Sequence, residues 1–373
     1  MAVKGWHSLK ISDFCKVIRG ASPRPKDDRR FYGGPIPRLM VEDVTRDGKY
    51  VTPIVDSLTE IGASMSRPMK AGTLTVVCSG TVGIPSFLAV DACIHDGFLG
   101  LVSFKKNFSV EYVYYQLEAL KKRIDDAATH GGVFTNLTVN GFGNFDIYLP
   151  ISLSEQLLIA EMLSDVDKLI ASLKRMIQKK QLIFNSILSS LIEITSSDSL
   201  DTTLISLGSD FQIKARIGWQ GLTTKEYLKI GNYFLVTGTE FLDGQISWDD
   251  CWYVEKERYD QDKNIQLKEN DVLITKDGTI GKIAFVTDLK TPATLNSGVF
   301  VLRPLKNNVV PKYLFYLLRS NIFKRFLGEL SAGSTINHLY QKDVIKFKFL
   351  VPNSIEKQLQ VINTLDEVQL ELV

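Results

Sequence analysis

Along residues 150–191 apolar side chains fall at Ile159, Leu163, Val166, Ile170, Leu173 and Ile177, and after a polar break at Lys180 they resume at Phe184, Ile187 and Leu191. The steps alternate four and three, the 3.5-residue period of a coiled-coil seam. The pattern predicts one helix of about 40 residues, roughly 60 Å long at 1.5 Å per residue. The same register returns near the end of the chain at Val361, Leu365, Val368 and Leu372. That predicts a second helix of about 20 residues, roughly 30 Å. Both begin alike, with a Pro and then a cap followed three residues on by Glu: Ser152 with Glu155, and Asn353 with Glu356. The expected pairing positions are Ile159, Leu163, Val166 and Ile170 on one helix and Val361, Leu365, Val368 and Leu372 on the other.

Before the long helix, short β-rich runs at 39–41, 73–78, 87–90 and 145–149 alternate with Gly/Pro turns around a single helix from 110 to about 123. A polar stretch from Thr195 to Ser199 reads as a linker, and from Thr202 the same succession starts again. Ser12-Asp13-Phe14 recurs as Ser209-Asp210-Phe211, residues 69–83 match 267–281, 112–117 match 313–318, and 131–137 match 333–339. The offset drifts only from about 196 to 202, so the chain is an internal duplication of a whole domain rather than a solenoid of short repeats. The predicted class is α+β: two similar domains at 1–150 and 196–352, a spacer helix at 151–195, and a shorter closing helix at 353–373. Between anchor points the halves diverge, as two recognition modules for different ligands would.

Composition sharpens this. The chain has 373 residues, 45% hydrophobic and 23% charged, the profile of a folded protein with room for two or three cores. Four scattered cysteines form no CxxC pair, and neither an N-terminal apolar signal nor a long apolar run is present, which points to a cytoplasmic, membrane-free protein. No GxxxxGK[ST] loop exists; Gly278-Thr279-Ile280-Gly281-Lys282 is too short and reads as a turn. No Glu is followed two residues later by Lys, there is no Asn-Pro-Pro-aromatic loop, and His7, His95, His130 and His338 lack metal or triad spacing. These last read as surface or satisfied core residues. A self-contained enzyme is poorly supported.

The positive signals concern a polyanion. Lys16, Arg19, Arg24, Lys26, Arg29, Arg30 and Arg38 cluster against only Asp27 and Asp28, in a stretch read as a loop from 16 to 38. Clustered cations neutralise phosphates, and Arg reads guanine edges bidentately. A solvated charged loop is the alternative. The matching region of the second half offers Lys214, Arg216, Trp219, Gln220 and Lys225. Two Gly-containing turns add Ser79 and Thr81, and Lys276 and Thr279; the repeated loops at 131–136 and 333–338 add Asn136 and Asn337. Lys174, Arg175, Lys179 and Lys180 read as the solvated face of the long helix.

The chain resembles the specificity subunit of Type I restriction–modification systems. Gly5-Trp6 leading to Ser12-Asp13-Phe14, the twin turns at 80–83 and 278–281, and Pro150 with Ser154-Glu155-Gln156, echoed by Pro352 with Lys357-Gln358, carry the likeness over nearly the whole length. The resemblance implies two target-recognition domains reading a bipartite double-stranded DNA target, with antiparallel helices that set half-site spacing. It implies docking of methyltransferase subunits, two of them, and of a restriction subunit, with no catalytic centre, metal or cofactor in this chain. S-adenosylmethionine, ATP and Mg would belong to partners. Members usually carry a second helix as long as the first. A short one implies an uncovered end at 184–191, exposed or covered by another chain, with self-association through the short C-terminal helix. The alternatives are the recognition subunit of a fused methylase–nuclease system and a helical interaction protein that binds no DNA.

Overall fold

Short apolar runs become strands here because each is buried on both sides: every residue of Leu74–Val77, Pro85–Leu88 and Val272–Thr275 is buried. Such strands read as continuous runs rather than as alternation. The structure is a computed structural model that describes residues 5–127, 137–197, 201–331 and 338–372. Asn136 and Asn337 lie outside the described residues, as do the side chains of Trp219 and Leu372. The chain divides into two units, residues 1–173 and 174–373. Each is mixed α+β.

In the first unit a sheet runs in the order Lys16–Arg19, Phe98–Val102, Leu74–Val77, Pro85–Leu88, Tyr50–Val51. A second sheet runs Asp56–Leu58, Tyr32–Leu39, Ala92–Ile94, Pro68–Met69. Helix Val110–Ala127 buries Tyr112, Val113, Leu117 and Ile124 in the core of the first sheet. Trp6–Lys10 pairs antiparallel with Asp146–Pro150, closing the two ends of the domain on each other. The second unit repeats the plan. Its sheet runs Phe211–Lys214, Val299–Pro304, Val272–Thr275, Ile283–Phe285, its helix is Pro311–Arg319, and Thr202–Ser206 pairs with Lys348–Pro352. Even a parallel contact recurs: Arg38 and Leu39 lie opposite Cys93 and Ile94, and Phe234–Val236 opposite Ala293–Leu295.

The basic stretch is not a loop throughout. Tyr32–Leu39 is a strand, with a register shift between Tyr32 and Ile36 that absorbs Gly33, Gly34 and Pro35. Its Arg38 is therefore held between two neighbouring strands.

The linker helix, Leu153–Ser197, has 45 residues and the closing helix, Ile355–Leu372, has 18. Ser152 Oγ accepts from the Glu155 N–H at 3.4 Å, as the cap pattern predicts. The second cap sits one residue later than expected. Ser354 Oγ accepts from the Lys357 N–H at 3.3 Å, while the Asn353 side chain accepts from the Thr203 hydroxyl.

Each helix is joined to its domain by a fully buried glutamine. Gln156 Oε1 accepts from the Ser109 N–H at 2.9 Å, and its Nε2 donates to the carbonyls of Pro150 and Asn107 at 2.8 and 3.4 Å. Gln358 makes the same set with the Val310 N–H at 2.8 Å and the carbonyls of Pro352 and Asn308, both at 2.9 Å. Buried amides need such partners.

One expectation about the helices is corrected. The end at 184–191 is not exposed: Phe184, Leu188 and Ile192 are buried in the core of the second unit, with Ile187 and Leu191 packed against it. That packing also carries the helix past its expected stop, and Thr195 Oγ1 lies 3.1 Å from the Tyr313 hydroxyl. The reason given for self-association at that end therefore falls away. Val361 and Leu365 are core residues of their own unit, with Val368 packed beside them. Asp366 accepts from Lys312 Nζ at 2.6 Å and from the Tyr316 hydroxyl, which draws the closing helix onto helix Pro311–Arg319. Ile159 packs against the first unit's core, whereas Leu163, Val166 and Ile170 are 40, 51 and 45% exposed. No described helix is long and apolar enough to cross a membrane.

Candidate nucleic-acid interface

Strand Lys16–Arg19 delivers the chain into an irregular stretch that returns as strand Tyr32–Leu39, and the strand end at Ile94 brings His95 and Asp96 beneath it. Together they enclose a cavity of about 550 Å³, and five of the residues singled out in the sequence line it: Arg19, Arg24, Lys26, Arg38 and Ser79. Lys16, Arg29, Arg30 and Thr81 are exposed outside it. Arg30 is held by Asp28, with Nη2 at 2.6 Å, and its guanidinium lies 5.3 Å from the centre of the Phe31 ring.

Arg38 is 4% exposed and cannot reach a ligand as an open loop side chain would. It pairs with Asp56, donates to Ser22 Oγ at 2.6 Å and lies over the Tyr32 ring. Ser22 Oγ in turn donates to Asp96 Oδ1 at 2.8 Å. His95 Nε2 lies 2.9 Å from the same Oδ1, while its Nδ1 accepts from the Gly97 N–H at 2.9 Å. A nitrogen that accepts carries no proton, so His95 is fixed as the Nε2–H tautomer. Burial pushes its pKa below the ordinary value, against the pull of Asp96. Burial would raise the Asp96 pKa, but Ser22, His95, Arg24 and Arg38 outweigh it and hold the carboxyl below its usual range. Arg19 Nε donates to the Asp96 carbonyl at 2.8 Å, and Arg24, its side chain 78% exposed, reaches to 3.7 Å from Asp96 Oδ2.

Ser22, Asp56 and Asp96 were not among the residues singled out in the sequence, and His95 was read there only as a surface or satisfied core residue. Ser22 and Asp96 are 74 residues apart and nothing local links them. The repeat offered a signal, because His95 and Asn296 both directly follow the equivalent strands Ala92–Ile94 and Ala293–Leu295.

The second unit treats its candidates differently. Arg216 is 1% exposed, and it is a structural residue rather than an interface one. Its Nε donates to the Leu295 carbonyl at 2.8 Å, and its Nη atoms bond Gln261, the Arg258 carbonyl and Thr294 at 3.1 to 3.2 Å. Gln220 is buried, and its Oε1 has no hydrogen-bond partner among the described residues. Lys214, Lys225 and Thr279 are exposed. Lys276 is half-buried over the Phe300 ring, and burial lowers its pKa.

Each Gly-Thr turn lies beside the return of the repeated loop. Leu137 N–H donates to the Cys78 carbonyl at 2.9 Å, and Leu339 N–H to the Lys276 carbonyl at 2.8 Å. Gly80 and Gly278 sit at φ +78 and +66 with open space where a Cβ would be, a conformation glycine adopts without cost. His338 Nδ1 contacts the Asp277 carboxylate. Among the described residues no cluster of acids, histidines and cysteines could hold a metal ion.

The family model described as Type I restriction modification DNA specificity domain matches residues 3–181 and 220–372. The chain is 25% identical over 377 residues to the Type I restriction enzyme MjaVIII specificity subunit of Methanocaldococcus jannaschii, covering 95% of this chain and 84% of that one. Among solved structures, the S subunit of a Type I restriction–modification system from M. genitalium superposes with a TM-score of 0.58 at 15% identity, over 98% of this chain and 90% of that one. A chain from a structure of Type I restriction–modification complex assembly and conformational transition gives 0.59 at 15% identity, over 100% and 92%. At that identity the two structures speak for the fold, while the family match covers both halves of the duplication. The chain belongs to the Type I restriction–modification DNA specificity family and is the non-catalytic, DNA-specificity member of such a system.

Proposed function

We propose that each repeat unit reads one half of a split double-stranded DNA target, and that the two halves differ in sequence. Domains at 1–150 and 196–352 would do the reading. The helices at 151–195 and 353–373 would set the distance between half-sites. Exposed cations such as Lys16, Arg29 and Lys214 would neutralise phosphates and fix the register, while side chains at the cavity and the Gly-Thr turns would contact base edges. The supporting observation is the duplication itself: a four-strand order recurs in the main sheet of both units, yet equivalent positions carry different chemistry. Arg19 lines an open cavity where Arg216 is buried, and His95 stands where the second unit has Asn296. A shared frame with different readers suits two unlike half-sites.

Two methyltransferase subunits and a restriction subunit would complete the assembly, bringing S-adenosylmethionine, ATP and Mg to act on DNA in the cytoplasm. In the first unit, exposed Leu158, Met162, Leu169 and Leu173 recur at helical spacing on the linker helix and would give methyltransferase subunits an apolar surface to dock on. Selection from a randomised duplex pool, using the chain with its methyltransferase, tests the reading. Enriched duplexes should carry two dissimilar constant blocks around a spacer of fixed length and free sequence. One uninterrupted block, or no enrichment, would overturn it.

A further inference from the structure

The cavity in the first unit is poorly suited to a phosphate. Asp27, Asp56 and Asp96 line it among Arg19, Arg24, Lys26 and Arg38, and Arg38, its most buried cation, is already committed to Asp56 and Ser22. Phosphate contacts call for uncompensated positive charge. Base edges differ in presenting donors and acceptors side by side, and so does this site.

At its mouth the two oxygens of Asp96 have unequal duties. Oδ1 takes the internal bonds from Ser22 at 2.8 Å and His95 at 2.9 Å, while Oδ2 faces Arg24 at 3.7 Å. The carboxylate is thus fixed through Oδ1, which leaves Oδ2 as an acceptor beside an exposed guanidinium. In the major groove a G·C pair displays guanine N7 and O6 as acceptors next to the cytosine N4 amino donor. A guanidinium donating to the first two and a carboxylate accepting from the third complement that edge in order. An A·T pair, which places a donor between two acceptors, does not fit the same arrangement.

We propose that Arg24 and Asp96 together read one G·C pair of the first unit's half-site, with Ser22 and His95 as positioning residues that hold Asp96. The proposal rests on the reading of this chain as a DNA-recognition subunit and goes beyond it by naming the base pair and its readers. Arg24 bonds N7 and O6 of guanine; Asp96 Oδ2 accepts from the cytosine amino group.

The test uses the full chain with its methyltransferase, bound to duplexes in which each guanine of the target is replaced in turn by 7-deazaguanine, which lacks the N7 acceptor. Wild type should lose about tenfold or more in affinity at one guanine, the scale of a bidentate contact. Arg24→Ala should bind more weakly and be indifferent to the analogue at that position only. Its thermal midpoint should stay unchanged, because the side chain is exposed. Asp96→Asn, which keeps the shape, should reduce discrimination between G·C and A·T there by about tenfold. A target in which no guanine is sensitive, or a sensitive guanine that stays sensitive in Arg24→Ala, overturns the assignment while leaving sequence-specific binding intact. Loss of all sequence-specific binding by wild type overturns the recognition reading itself.

Discussion

The residues that matter most here are small in number and held from behind. Gln156 and Gln358 each close three backbone hydrogen bonds at the point where a helix leaves its domain. Gln156→Leu fills the space and leaves two carbonyls and one N–H without partners, a cost of about 2–4 kcal/mol. Chemical denaturation should show the loss, and Gln358→Leu should show a loss of similar size. Arg29 and Arg30 are adjacent but unequal, because Asp28 already neutralises Arg30. Arg29→Ala should weaken DNA binding more than Arg30→Ala does and lower the salt slope by about one; equal effects in a salt titration would contradict this.

His95 gives a pH dependence. Its folded pKa lies below the ordinary 6.5 because burial disfavours the cation. The stability it contributes is therefore fully present above that value and is lost as pH falls through the folded pKa. Thermal midpoints of wild type should drop below about pH 6.5 more steeply than those of His95→Asn. None of this cluster was legible locally. The glutamines stood in a recognisable motif, but His95 and Asp96 gain their meaning from Ser22, in the irregular stretch before strand Tyr32–Leu39, and from Arg38 on that strand, both far away in sequence.

At the scale of elements, periodicity revealed the linker helix but not what covers it. A 3.5-residue repeat states that one stripe wants burial and is silent about the partner. Of the expected stripe, Phe184 is buried in the second unit and Ile187 and Leu191 pack against its core, but the fully buried positions beside them are Leu188 and Ile192, one residue on; Leu163, Val166 and Ile170 are exposed. The strands were legible as apolar runs, though the strand Tyr32–Leu39 was hidden by its Gly and Pro residues, which a register shift accommodates. Leu188→Ala, at a site with no exposure, should cost about 2–5 kcal/mol in unfolding of the second unit. The double change Leu158→Ser and Met162→Ser, at exposed positions, should leave the denaturation midpoint within experimental error and reduce co-purification of the methyltransferase. A large loss of stability instead would show that those side chains serve the fold.

For the molecule as a whole, the duplication was the most legible feature, because a constant offset survives even where side chains diverge. The structure adds that the same four-strand order in the main sheet, the same end-to-end strand pair and the same buried glutamine accompany it in both units. The surfaces proposed to read DNA do not match: the first unit has an open cavity that mixes basic and acidic side chains, and Arg216 is sequestered in the second. Two copies of one frame with unlike readers lead to the central claim, that one chain joins two different half-sites. The most direct test is methylome sequencing of cells carrying this chain with its methyltransferase. The account predicts one methylated motif made of two dissimilar specified blocks separated by a fixed, unspecified spacer. A contiguous motif, two identical blocks, or methylation without any motif would contradict it.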